Sequence, residues 1–149
     1  MTLRRPFSNK FSLFYPGIVV GLISGIVLGL FFKAVQRVTD IGVYTLLLNV
    51  DFMPGFHANL PEWLEFAMHM AVSLCIGIVY IVWLNTSPYP WRNAILLALA
   101  SSLLFIPLTL LSDVVPQIDD ASAIIWWVIG HLLYGIVLGW LGSRFRVSF

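Results

Sequence analysis

The chain has 149 residues, 60% of them hydrophobic and only 10% charged, with a formal net charge of +1 and a mean hydropathy of +0.94. Soluble domains carry about a quarter charged residues, so an ordinary soluble fold is excluded, and disorder goes with it because disorder needs low hydropathy. Eight basic against seven acidic residues leave no basic face for nucleic acid. What remains is an all-α integral membrane protein, read as a single transmembrane domain over 1–149.

A bilayer core is crossed by roughly 20 mostly apolar residues per helix. Four stretches reach that length, at approximately 16–33, 63–84, 94–111 and 123–141. Arg4, Arg5 and Lys10 ahead of the first imitate a signal peptide. No small-x-small cleavage pattern follows, so this stretch is expected to be an uncleaved anchor. It carries Gly17, Gly21, Gly25 and Gly29 at steps of four, which expose backbone and let a second helix approach closely. The partner is either another span or a second copy of the chain, and a homo-oligomer packed through this stripe is the expectation.

Lys33 and Arg37 continue the same spacing. Charges at a span's end either snorkel to the headgroups or find a partner, here Glu62 or Glu65. The segment 38–60 is too apolar for free solution and too interrupted for a span, and an interfacial or re-entrant piece on the outer face fits it.

The second span opens with Glu62 and Glu65 and places His69, Ser73 and Tyr80 on the same helical face. A one-sided polar seam is hidden from lipid, either to join helices or to carry chemistry. Cys75, the single cysteine, has no disulfide partner and is expected to be a small packing residue. Asn85 to Pro90 turns the chain into the third span, where Pro107 should kink the helix or end its regular part early. The fourth span contains Gly130, His131, Tyr134, Gly135 and Gly139. The two glycines at 135 and 139 are further packing positions.

Basic residues mark the cytoplasmic side. Arg4, Arg5, Lys10, Arg92, Arg144 and Arg146 fall on one side if both termini are cytoplasmic, and all seven acids fall on the other. Trp63, Trp126 and Trp127 then stand at outer interfaces and Trp83, Trp91 and Trp140 at inner ones, as aromatic belts.

With this orientation His69 and His131 lie at nearly equal depth, on the order of 10 Å below the outer surface. Two imidazoles at one level suit a proton or ion path with Glu65, Ser73, Tyr80 and Tyr134, entered past Lys33, Arg37 and Glu62. They also suit a divalent metal, with His57 as a further ligand, or axial ligation of a b-type haem. No hydrolase-like base stands by Ser73 or Ser101, so an enzyme is not indicated. The favoured expectation is a non-enzymatic protein of proton or ion homeostasis without a cofactor. A structural or accessory subunit of a larger membrane complex, surrounded by lipid, is the alternative.

The glycine-rich first helix, His69 with Ser73 and Tyr80, Trp91 opening a third helix with Pro107 late in it, and Gly130-His131-Leu132 before a basic end at Arg144 to Arg146 together resemble the YagU-type small inner-membrane family. It is a family of unknown function, loosely associated with acid tolerance. Phe105 stands near where that pattern leads one to look for a further histidine, and Trp127 where it leads one to look for an acid. The resemblance implies a helical fold in a bacterial inner membrane.

Overall fold

The computed structural model describes residues 11–50 and 60–147. Six helices follow one another: α1 (Phe11–Thr39), α2 (Val43–Leu48), α3 (Glu62–Thr86), α4 (Pro90–Ser102), α5 (Phe105–Leu110) and α6 (Ala121–Val147). No strand occurs among the described residues. Four segments are long and apolar enough to cross a bilayer: Leu13–Thr39, Glu62–Thr86, Pro90–Leu110 (α4 and α5 together) and Ala121–Phe145. The chain is an all-helical, multi-pass membrane protein.

The first helix runs past its expected end by about two turns, absorbing Lys33 and Arg37. It stops at Asp40, whose φ of 59° is the left-handed conformation that closes helix C-termini. The Asp40 N–H still donates to the Gln36 carbonyl, at 2.9 Å. Of the expected interfacial segment 38–60, the structure makes the single short helix α2, while residues 51–59, with His57, lie outside the described residues. A six-residue helix is marginal by itself, and the residue before it, Gly42, has no side chain to cap it. Gln36 of α1 supplies the cap instead. Its Oε1 accepts the N–H groups of Tyr44 and Thr45, each at 2.9 Å, which are orphan donors of the first turn.

Pro107 disrupts its span further upstream than a kink at its own position would. A proline ring in a helix clashes with the carbonyl four residues earlier, here that of Leu103. The regular helix accordingly ends at Ser102 and restarts at Phe105. The last span begins with a side-chain cap: Asp120 Oδ1 accepts the N–H groups of Ser122 and Ala123 at 3.0 and 3.1 Å.

The glycine stripe decides the packing. A Cβ on Gly17 would lie 2.8 Å from Ile78 Cα, one on Gly21 2.6 Å from the Ser73 carbonyl oxygen, and one on Gly25 2.6 Å from Ser73 Oγ. Gly77 of α3 returns the contact against the backbone of Gly17 and Gly21. The stripe is therefore filled by α3 of the same chain, which corrects the expectation of a second copy seated there. Gly135 and Gly139 do the same for α6, against Ala98 and Trp91 of α4. The helices are thus ordered α3, α1, α6, α4, with α3 and α4 flanking the central pair and touching each other little. Cys75 faces outward and is exposed rather than packed.

Trp127 is no interfacial anchor. It is 2% exposed, stacked on Phe32 with ring centroids 5.2 Å apart. Its indole N–H donates to the Ser102 carbonyl at 2.8 Å, satisfying an acceptor at the break before α5. A tryptophan one turn from the end of an apolar span reads as a belt residue, but here the discontinuity in a neighbouring helix draws it inward.

Candidate functional site

Because α3 and α4 stand apart over the α1–α6 pair, the bundle holds a partly open cavity of about 440 Å³. Leu28, Trp127, His131 and Tyr134 form its buried floor. Met68, Val72 and Ile76 of α3 face Ser101 of α4 and Leu104 and Leu108 beyond the break. Leu47 to Val50, at and just beyond the end of α2, also line it.

Five of the expected site residues line this one cavity: Glu65, His69, Ser73, His131 and Tyr134. His69 and His131 come from different spans and share it without a hydrogen bond between them. His69 Nε2–H donates to the Gly25 carbonyl at 3.2 Å, since a carbonyl only accepts. That carbonyl belongs to the stripe whose missing side chains bring α3 close. His131 Nδ1–H donates to the Trp127 carbonyl one turn back, at 2.9 Å. The His131 ring is wedged between Trp127 and Phe32, at centroid distances of 4.6 and 5.9 Å. Ser73 Oγ–H donates to the Gly21 carbonyl at 2.8 Å. Its proton is thereby used, so Tyr134 donates in the 3.1 Å contact between the two hydroxyls.

Tyr80 is placed elsewhere. It is fully buried against Gly142, and its hydroxyl donates to the Pro90 carbonyl at 3.1 Å. The helical repeat put it on the polar face of α3 correctly, but it sits well beyond Ser73, past the end of the cavity. Nothing in the sequence marked the cavity members Ser101 and Leu104, because the break that exposes them depends on how Pro107 fits its neighbours.

The expected entrance residues Lys33 and Glu62 form an ion-pair cluster away from the cavity floor. Lys33 Nζ bonds and ion-pairs with Glu62 Oε1, and the Tyr44 hydroxyl donates to the same oxygen at 2.9 Å. Burial first, and then this hydrogen bond to a carboxylate, hold the Tyr44 phenol above its ordinary ionisation range. The Lys33 ammonium also lies 5.4 Å from the centre of the Tyr44 ring. Arg37 is exposed and its side chain makes no hydrogen bond among the described residues, acting on Glu62 through its charge.

Among the described residues no three His, Cys, Asp or Glu side chains converge as metal ligands. Axial haem ligation by both rings would require His69 to give up its bond to Gly25 or to bind through its more crowded Nδ1, so the residues do not fit a haem as they stand. No family model, curated protein or solved structure matches the chain.

Proposed function

We propose that this membrane protein binds a small lipid-soluble molecule in the cavity between α3 and α4–α5, with its polar part against His69 and His131. One observation carries the reading: a largely apolar cavity into which α3 brings Glu65, His69 and Ser73 and α6 brings His131 and Tyr134. Its volume of about 440 Å³ lies within the range of small-molecule sites, which are mainly apolar with a few oriented polar groups. The exposed rim residues Ala71, Val72 and Leu104 lie well inside their spans, where hydrocarbon surrounds a membrane protein. Ligand entry would therefore be sideways from the acyl chains. We further propose a bacterial inner membrane as its location, on the sequence resemblance to the YagU-type family.

The test is quenching of tryptophan fluorescence in nanodiscs by a mid-chain dibrominated fatty alcohol, since Trp127 lies in the cavity floor. Saturable quenching that Leu104→Phe suppresses by narrowing the mouth supports the reading. Quenching that only rises linearly with probe, unchanged by the mutation, overturns it.

A second reading, proton or ion homeostasis, is supported by Glu65, His69 and His131 sharing one cavity lining. Imidazole is the side chain whose charge changes between pH 5 and 8. Reconstituted vesicles would then pass a proton or cation flux that the His69→Ala, His131→Ala double variant abolishes. Equal flux in that variant defeats it.

A further inference from the structure

We infer that the molecule held in this cavity presents a hydroxyl to the histidine wall: a neutral, hydroxyl-headed lipophile rather than one with an ester, ether or ketone head. The inference rests on the binding reading above and follows from counting donors. On α3, α4 and α6 the polar hydrogens that line the cavity are already engaged within the protein. Ser73 donates to Gly21, Ser101 to the Leu97 carbonyl at 2.8 Å, and Trp127 to Ser102. Tyr134 donates to Ser73, His69 to Gly25 and His131 to Trp127.

What these groups still offer is lone pairs. In a neutral imidazole one nitrogen donates and the other accepts. His69 donates through Nε2, so its Nδ1 accepts; His131 donates through Nδ1, so its Nε2 accepts. Neither second nitrogen has a partner among the described residues. An ether or carbonyl head brings only further acceptors to this wall, and its desolvation there goes uncompensated. A hydroxyl brings the missing donor. Asn49, just beyond the end of α2, also lines the cavity and brings a side-chain amide with N–H groups of its own, so the preference for a hydroxyl applies where the head meets His69 and His131.

The experiment uses the full chain in nanodiscs at pH 8, where an ordinary imidazole is neutral. A bound dibrominated fatty alcohol is displaced by a non-brominated fatty alcohol, by its methyl ether of equal chain length, and by an alkylphenol. The alcohol is expected to displace the probe at a concentration about tenfold below that of the ether, the size of one hydrogen bond. In the His69→Leu, His131→Leu double variant the gap should close while the chain still binds, and His131→Gln in the His69→Leu background, which keeps one side-chain acceptor, should retain it. The phenol arm separates sources: phenol tighter than alcohol indicates an aromatic hydroxyl such as a hydroquinone, and alcohol tighter an aliphatic one. Ether and alcohol equal in the unmodified chain overturn the hydroxyl inference and leave the cavity reading standing. No saturable displacement by any of the three overturns both.

Discussion

The indole N–H of Trp127 donates to the carbonyl of Ser102 across 2.8 Å, tying the centre of the bundle to the point where α4 gives way to α5. Pro107 prevents a continuous helix, and inside a bilayer no water is present to satisfy the carbonyls so released. Trp127 meets that demand with one nitrogen while its ring stacks on Phe32 and backs His131.

Replacing Trp127 by Phe keeps much of the stacked ring and removes the donor. The expected loss is about 1 kcal/mol for the hydrogen bond, in line with interhelical bonds in membranes, plus the packing lost with the smaller ring. Thermal unfolding in detergent should record a lower midpoint for Trp127→Phe. In a Pro107→Ala background the demand at Ser102 is relieved if the helix becomes continuous, so the same substitution should then cost less. An equal cost in both backgrounds would separate the two features.

Gly77 and Gly42 should respond oppositely to alanine. A Cβ on Gly77 meets the backbone of Gly17 and Gly21, which cannot move aside locally, whereas one on Gly42 meets Pro116 Cδ at an ordinary 3.4 Å. Gly77→Ala is expected to separate α3 from α1 and to lower the yield of monodisperse protein and its melting temperature. Gly42→Ala should leave both near the starting values.

Ser73 and Tyr134 differ in what their removal leaves behind. Tyr134→Phe deletes one hydroxyl and spares the Ser73 to Gly21 bond. Ser73→Ala strands the buried Tyr134 hydroxyl and removes the second donor to the Gly21 carbonyl, which keeps its helical bond. Ser73→Ala should therefore destabilise more, by about 0.5–2 kcal/mol against well under 1 for Tyr134→Phe. A double variant close to Ser73→Ala alone would show the coupling, read from denaturation midpoints.

Tyr44 should ionise late in alkaline titration. Its phenol is held above the ordinary value by burial and by its bond to the Glu62 carboxylate. Since the folded state keeps this proton longer than the unfolded chain, its contribution to stability is complete below the unfolded value, near 10. It is lost as pH rises toward the folded value. The tyrosinate absorbance difference between the chain and Tyr44→Phe should show this late step. Glu62→Gln should move it to lower pH, because the carboxylate charge is removed while burial remains.

Apolar runs, their lengths and the glycine spacing were enough to give four spanning helices, because hydrocarbon thickness and close helix approach depend on local composition. The polar face of α3 was legible for the same reason: a period of 3.6 puts Glu65, His69 and Ser73 in one line. The sequence left open what faced the glycines, and the answer was α3 rather than a second copy. That outcome depends on Gly77 opposing Gly17 and Gly21, a match between residues nearly sixty positions apart.

Sequence alone determined that this chain lives among lipids and keeps two histidines within its spans. Only the tertiary structure decided that those histidines share a cavity, that Trp127 is its floor rather than an interfacial anchor, and that Tyr80 lies beyond it. The reason is steric. A cavity is what remains after helices settle at the distances their contact residues permit, and glycines stand at the α1–α3, α4–α6 and α1–α6 contacts while nothing draws α3 and α4 together.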